Sequence, residues 1–447
     1  MIVALSRKRG GVFCFFGHFL FFENFFFLKF TGDYSKKRKG IIFISMWFDF
    51  LRRNKKEEEK KEVRYILTID GGGMRGIVPA YILKKMNEEL KERGILRPLY
   101  SYFDLVSGTS TGALIALGLT APVDNLGFRK EEGDDWEVNE IVEKGRFRKT
   151  TEIIKKGEIE RLGDPEALLS LYTENGSRIF IPDDSKGLWK LMGKVSKMLG
   201  DKYDTAPLEM FLDEMYGDTL LSEARVPTMA VSTNTDGCAP YVFKSWDSHG
   251  FLLREAARAT SAAPTYFSPA VFIDRETDER LTLVDGGMVA NNPILATYIE
   301  ARKLYPNADE FRILSLSTAS PRCVLHPEEY ATNLDWLSHL TSAYSSANME
   351  ISLSGVESIK GVRVDRIWEP VLEKKIKLDD TSKEAIDSLL EAAEKIWDKD
   401  KEKVYSFLDE VTLAPIPDQL KYRDKNKVKE NLLALEGPQE GVLSLPS

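Results

Sequence analysis

The feature that most restricts this chain is a short β-branched run that breaks on glycine and restarts as a helix. Tyr65-Ile66-Leu67-Thr68-Ile69 has the length of a buried strand, and it ends in Asp70-Gly71-Gly72-Gly73-Met74-Arg75-Gly76. From about Pro79 to Arg93 the apolar residues Ile82, Leu83, Met86 and Leu90 fall on one helical face, and Gly94 supplies a stop. Strand, glycine loop and helix in that order form the geometry in which backbone N–H groups converge on an anion at a helix N-terminus.

Several anions fit such a loop. Gly71-x-Gly73-x-x-Gly76 matches a dinucleotide fingerprint, but the acidic residue expected at the end of a second strand is missing. Glu88, Glu89 and Glu92 lie inside the predicted helix instead. A phosphate loop would need Gly-Lys-Ser/Thr, which the sequence does not supply. The third possibility is an oxyanion hole, in which the same N–H groups stabilise a tetrahedral intermediate and Arg75 adds positive charge. A tight strand-to-helix turn with no ligand is the fourth.

A second strand–turn–helix follows. Phe103-Asp104-Leu105-Val106-Ser107 reads as a strand and Ala113 to Leu119 as a buried apolar helix, with Gly108-Thr109-Ser110-Thr111-Gly112 between them. A serine at so sharp a turn is strained, and side chains two positions away would collide, so glycine is used at both. The turn lifts the hydroxyl above the sheet, and the following helix points its positive end at developing negative charge. Ser110 is therefore the candidate nucleophile.

An alcohol needs a base to take its proton. Leu281-Thr282-Leu283-Val284 predicts another strand, ending in Asp285-Gly286-Gly287, and Asn291-Asn292-Pro293 resembles a helix start. Asp285 then stands at a strand end, where the sites of open α/β sheets gather. Two mechanisms stay open on the residues alone. In a triad of order Ser, Asp, His, the histidine would be His326 or His339. In a dyad Asp285 acts alone, and the lack of any catalytic context around those histidines favours it; His249 precedes Asp285 and breaks the triad order.

At 447 residues the chain is long enough for one large α/β domain with additions, or for two domains. Its net charge of −8 argues against a dedicated nucleic-acid binder. Three cysteines (Cys14, Cys238, Cys323) without a CxxC pair give neither a disulfide framework nor a zinc site, and fit a reducing compartment. The Phe-rich stretch from Val12 to Phe30 follows Arg7-Lys8-Arg9, but its uninterrupted part, Val12 to Phe22, is too short to span a membrane. No small-residue cleavage site follows it, and Met46 opens a second start. Upstream translated sequence, a membrane anchor and a degraded signal are the three readings of residues 1–45. Arg52 to Lys61 is almost wholly charged and makes a linker. The division that follows is an uncertain segment over 1–60, a catalytic core over 61–330, a helical C-terminal part over 331–436 and a disordered tail over 437–447.

Taken together, Asp70 to Gly76, Gly108 to Gly112 and Asp285-Gly286-Gly287 resemble, in the same order, the motifs of the patatin-like phospholipase family. Ser177-Arg178-Ile179-Phe180, Ala257 to Phe267 and Lys377-Leu378-Asp379-Asp380 add to the likeness, which runs from about Arg64 to Lys395 and is nearest the plant and bacterial branch. The resemblance implies a three-layer α/β/α sandwich around a mostly parallel sheet. It implies a Ser110–Asp285 dyad, and an oxyanion hole in the loop Gly71, Gly72, Gly73, Met74, Arg75 and Gly76. It also implies hydrolysis of fatty-acyl esters of phospholipids or galactolipids through an acyl-enzyme, with no metal or cofactor. Acyl transfer at the same site is the alternative activity, and a nucleotide-binding or scaffolding module is the alternative from another class. The expected partner is membrane or micellar lipid, met peripherally, and not nucleic acid. The expected location is cytoplasmic, with secretion through the Phe-rich N-terminus as the other reading.

Two further segments carry expectations. Gly187 to Gly200 sets Leu188, Trp189, Leu191, Met192, Val195 and Met198 among lysines, which suits a helix covering the core or, failing that, a basic lipid-facing helix. Thr381 to Glu410 predicts one or two packing helices with a charged outer face.

Overall fold

The computed structural model describes residues 5–8, 11–14, 19–22, 25–28, 61–95, 97–122, 135–143, 149–158, 163–180, 203–247, 249–319, 333–369, 372 and 376–414. The chain divides into two units, Met1–Lys61 and Glu62–Ser447. In the first, Leu5–Lys8 pairs antiparallel with Gly11–Cys14, and Phe19–Phe22 with Phe25–Leu28. The apolar stretch weighed as a targeting core thus contributes strands to both ladders. Among the described residues no helix is long and apolar enough to cross a membrane.

The second unit is built on an eight-stranded sheet. Its strands are β1 (Val63–Ile69), β2 (Leu105–Thr109), β3 (Thr228–Asn234), β4 (Ala239–Lys244), β5 (Ala270–Ile273), β6 (Arg280–Asp285), β7 (Glu310–Leu316) and β8 (Val362–Ile367). β8, β7, β1, β2 and the start of β3 run parallel, while β4, β5 and β6 pair antiparallel. The longer helices are α1 (Ile77–Glu92), α2 (Thr111–Thr120), α3 (Pro165–Thr173), α4 (Ala206–Tyr216), α5 (Leu253–Thr260), α6 (Ile294–Leu304), α7 (Asn333–Glu357) and α8 (Lys383–Leu413).

Strand alternation sorts the side chains into two cores. Leu67, Ile69, Val106, Ala230, Leu314 and Leu316 pack with α1, α2, α5 and α8. Ile66, Leu105, Met229, Val231, Phe311 and Ile313 face the other way, against Ile294 and Ala301 of α6 and Val356 of α7. Helix, sheet and helix make three layers, and burial on both faces is why β1 and β2 lack the apolar–polar alternation of a half-exposed strand. α2 is buried at all ten positions, so it shows no amphipathic stripe.

The part 331–436, expected to be helical, also supplies β8, where Val362-Arg363-Val364-Asp365 alternates apolar and charged residues and Arg366-Ile367 breaks the alternation, Arg366 taking the face of Val362 and Val364. The segment from Thr381 is a single helix of 31 residues, α8, capped by the Ser382 hydroxyl accepting from Ala385 N–H. Asp135–Glu143 and Lys149–Glu158 form a separate antiparallel ladder that no motif in the sequence announces. The Gly187–Gly200 segment and the tail from Gly437 lie outside the described residues.

One arrangement positions everything that follows. β4 takes the whole of one edge of β3, from Met229 to Asn234. The opposite edge is shared: β2 runs parallel along it up to Thr109 opposite Val231, and β6 runs antiparallel along the rest, ending with Asp285 opposite Ser232. The C-terminal ends of β2 and β6 therefore meet head to head on neighbouring residues of β3. In parallel, Ile69 pairs with Gly108, so the glycine loop leaves β1 beside the same point.

Candidate active site

Ser110 is the single residue between β2 and α2. It adopts φ 53° and ψ −125°, a left-handed conformation that costs an L-residue about 1–3 kcal/mol and persists where surroundings enforce it. Here they do. A Cβ on Gly108 would strike the carbonyl of Gly112, and one on Gly112 would strike the carbonyl of Ile69. The Ser110 N–H donates to Thr260 Oγ1 at 2.8 Å, and its carbonyl accepts from Ala113 and Leu114 at the first turn of α2.

From the other strand end, Asp285 meets it. Ser110 Oγ donates to Asp285 Oδ2 at 2.6 Å, and Gly287 N–H donates to Oδ1 at 2.6 Å. The backbone of Asp285 is fixed too: its N–H donates to Ala262 O at 2.9 Å, and its carbonyl accepts from Thr233 Oγ1 at 2.9 Å. A Cβ on Gly286 would collide with the Val231 carbonyl, which is why glycine follows the aspartate. Burial pushes the Asp285 carboxyl up to about 6, against the pull of the Ser110 and Gly287 hydrogen bonds. Among the described residues no cation pairs with it. A desolvated carboxylate sharing a short hydrogen bond with an alcohol can take that alcohol's proton as it attacks.

The glycine loop lies against the same serine. A Cβ on Gly71 would come 2.7 Å from Asn291 Oδ1 and 3.3 Å from Ser110 Cβ. Not all six residues expected to serve the oxyanion can do so. Gly71 N–H donates to Asn291 O at 2.9 Å, Met74 N–H to Leu378 O at 2.8 Å, and Arg75 N–H to Gly72 O at 3.2 Å, so those donors are committed. Gly76 caps α1, and a side chain there would strike Thr111 Oγ1 and Tyr172; it is a packing glycine. Gly72 and Gly73 remain, with N–H groups that have no acceptor among the described residues. Gly73 has φ 57°, and a Cβ on it would hit Leu378, so both its conformation and its neighbours require glycine. Arg75 turns back so that Nε donates to Gly72 O at 3.3 Å; burial lowers it to about 10, with Asp70 and Tyr266 opposing, which leaves it a cation at neutral pH.

Several participants had weak signals in sequence or none. Thr260 lies in the family-like stretch Ala257 to Phe267, and Leu378 in Lys377 to Asp380. Asn291 was read as a helix start, yet its backbone and side chain both hold Gly71. Thr318, whose Oγ1 donates to Gly71 O at 2.8 Å, had no signal, and Arg366, which pairs with Asp70, shows only as a charge where Val362 and Val364 predict an apolar residue. Of the histidines, His249 is engaged elsewhere, with Asp274 at 3.1 Å and Asp247 at 3.0 Å. His326 lies outside the described residues; His339 lies in α7.

The family model for patatin-like phospholipases matches residues 67–298, more than half of the chain. Patatin-like protein 2 of Oryza sativa subsp. indica is 27% identical over 391 residues, covering 77% of this chain and 86% of that protein. Patatin-like protein 2 of Arabidopsis thaliana is 30% identical over 322 residues, 64% of this chain and 69% of the relative. Patatin-17 of Solanum cardiophyllum is 28% identical over 253 residues, 54% of each. With the motifs, the sheet and these likenesses in agreement, the chain belongs to the patatin-like phospholipase family of lipid acyl hydrolases.

Proposed function

We propose that this hydrolase cleaves fatty-acyl esters of phospholipids or galactolipids, with Ser110 as nucleophile and Asp285 as general base in a dyad without histidine. The observation that carries the reading is the 2.6 Å hydrogen bond from Ser110 Oγ to Asp285 Oδ2. As Oγ attacks the ester carbon, its proton passes to Asp285. The carbonyl oxygen, now an oxyanion, accepts from Gly72 and Gly73 N–H, which are the donors left uncommitted in the loop. The positive end of α2 and the Arg75 cation add to the field around it. Collapse of the intermediate expels the alcohol half of the lipid, which takes the proton from Asp285 and leaves an acyl group on Ser110. Asp285 then deprotonates a water for the second attack and returns that proton to Ser110 Oγ as the acyl–oxygen bond breaks, releasing the fatty acid. The lipid is presented by a membrane or micelle that the protein meets peripherally.

Ser110→Ala and Asp285→Ala, made separately, should each abolish ester hydrolysis in a protein that still folds. Activity that survives Asp285→Ala but is lost in His326→Ala or His339→Ala would replace the dyad with a triad. Product analysis with added alcohol or lysolipid separates hydrolysis from acyl transfer, which would convert the acceptor into a new ester. Lipid profiling of wild type against Ser110→Ala identifies the head group and acyl position.

A further inference from the structure

The glycine loop is held from a part of the chain beyond the family-matched range 67–298. Asp70 is buried at the end of β1 and receives both terminal nitrogens of Arg366: Nη1 donates to Oδ1 at 2.9 Å and Nη2 to Oδ2. Strand register explains the reach. Ser315 of β7 pairs with Arg366 on one side and with Thr68 on the other. Those three residues share a face of the sheet, and Asp70 follows Thr68 by two residues on that face. The small serine lets the arginine pass over β7, and it also accepts from Arg366 Nη1 at 2.8 Å. Nη2 lies 3.7 Å from Met349 Sδ of α7. The fork is thus fixed by two strands and a helix, and a bidentate pair constrains angle as well as distance.

Asp70 stands one residue before Gly71 and two before Gly72. A displacement of Asp70 is carried by the backbone through Gly71, which Asn291 and Thr318 also hold, to the Gly72 and Gly73 N–H groups, which have no acceptor among the described residues. Beyond them the loop is pinned by Met74 N–H on Leu378 O at 2.8 Å, so the free donors lie between two anchors, and β8 and the segment before α8 supply the partner at each.

We propose that Arg366 is a positioning residue for the reaction: through Asp70 it aims the Gly72 and Gly73 N–H groups at the oxyanion without itself touching substrate. The proposal rests on the reading of Ser110 and the glycine loop given above. A misplacement of about 1 Å in such a site costs about 10²-fold in rate, so the loss belongs in kcat and in affinity for tetrahedral adducts, not in KM.

The test uses the full chain and a soluble ester, p-nitrophenyl butyrate, with an alkyl boronic acid as the tetrahedral probe. Arg366→Lys keeps a charge but loses the fork. It should fold, hold KM within about twofold, and lose about 10- to 100-fold in kcat and a matching factor in boronate affinity. Arg366→Gln should lose more. Arg363→Ala, on the same strand and paired with Glu410 and Asp365, is the control for losing an arginine ion pair from β8 and should leave kcat unchanged. Arg366→Lys that is unfolded, or folded with wild-type kcat and boronate affinity, overturns the proposal. So does a fall in kcat that Arg363→Ala reproduces. Ser110→Ala run alongside keeps the two readings apart: hydrolysis surviving in it overturns the assignment of the nucleophile, whereas an inert Ser110→Ala with fully active Arg366→Lys removes the positioning role alone.

Discussion

Two Asp-Gly-Gly sequences end two strands of the same sheet, and they meet opposite fates. Asp70 and Asp285 are both buried, and both are followed by glycines whose Cβ positions are filled by neighbouring atoms. Asp70 is gripped by a guanidinium from a strand two places away. Asp285 finds a serine hydroxyl and a backbone N–H, and no cation among the described residues. Burial raises both carboxyls, but Arg366 opposes it at Asp70, while only neutral donors oppose it at Asp285. The motif fixes where a carboxylate stands. The remote partner decides whether it serves as a structural anion or is left with basicity to spend on chemistry.

Swapping each aspartate for its amide tests this contrast, because the expected effects are opposite in kind. Asp285→Asn keeps shape but cannot accept the Ser110 proton, so kcat should fall by about 10²- to 10⁴-fold, the contribution of a general base. The fold should hold, and its stability at pH 7 should rise, because a desolvated charge has been removed. Asp70→Asn leaves the Arg366 charge buried without its partner, so it should lower stability by about 3–5 kcal/mol, read by denaturant unfolding. Its kcat should fall far less than that of Asp285→Asn. If the two amides gave the same pattern, the division of labour between the aspartates would be wrong.

The two aspartates also show how far the sequence could be read. Ser110, Asp285 and the glycine loop were legible because each sits where a short apolar strand breaks on glycine, a local pattern with a local cause. The proposed oxyanion donors were legible only as a group: which of Gly71 to Gly76 keep an N–H without an acceptor among the described residues depends on Asn291 and Leu378, more than two hundred residues away. The partner of Arg366 was illegible for the same reason. Arg366 breaks the alternation of its strand, standing where Val362 and Val364 predict an apolar residue, but that local break reveals neither Asp70 nor the serine that β7 offers to cross. The parallel order of β8, β7, β1 and β2 likewise depends on long-range pairing that periodicity does not encode.

Acidification should separate the aspartates further. With Asp285 near 6, the rate limited by its basic form should rise with pH through about 6 and level off above it, seen in kcat/KM on a soluble ester. Stability runs the other way. The folded carboxyl holds its proton more tightly than the unfolded one, so the contribution is fully present below about pH 4 and is lost as pH rises through about 6. The shift, from 3.8 to about 6, corresponds to about 3 kcal/mol. The stability gap between Asp285→Asn and wild type should therefore open between pH 4 and pH 7. Taking the difference cancels titration elsewhere, provided the sites are not coupled. A gap constant across that range would mean that Asp285 is not the buried base described.

The smallest effect concerns a third aspartate, Asp274, which already has a histidine. His249 Nδ1 lies 3.1 Å from Asp274 Oδ2, the Asp–His half of a triad. Register shows why it does not serve Ser110. Asp274 follows Ile273, which pairs with Arg280 at the start of β6, whereas Asp285 ends that strand. Five residue steps at about 3.3 Å each separate the two ends by about 17 Å, beyond any hydrogen bond. Burial works to lower His249, but Asp247, Asp274 and Glu276 together raise it, so its role is to bind three acids at the sheet's far end. His249→Gln should change kcat by less than about twofold across pH 5 to 8 and alter stability by less than about 1 kcal/mol, the range of exposed ion pairs. A collapse of activity in that variant would bring a histidine back into the mechanism and end the contrast between a paired and an unpaired aspartate.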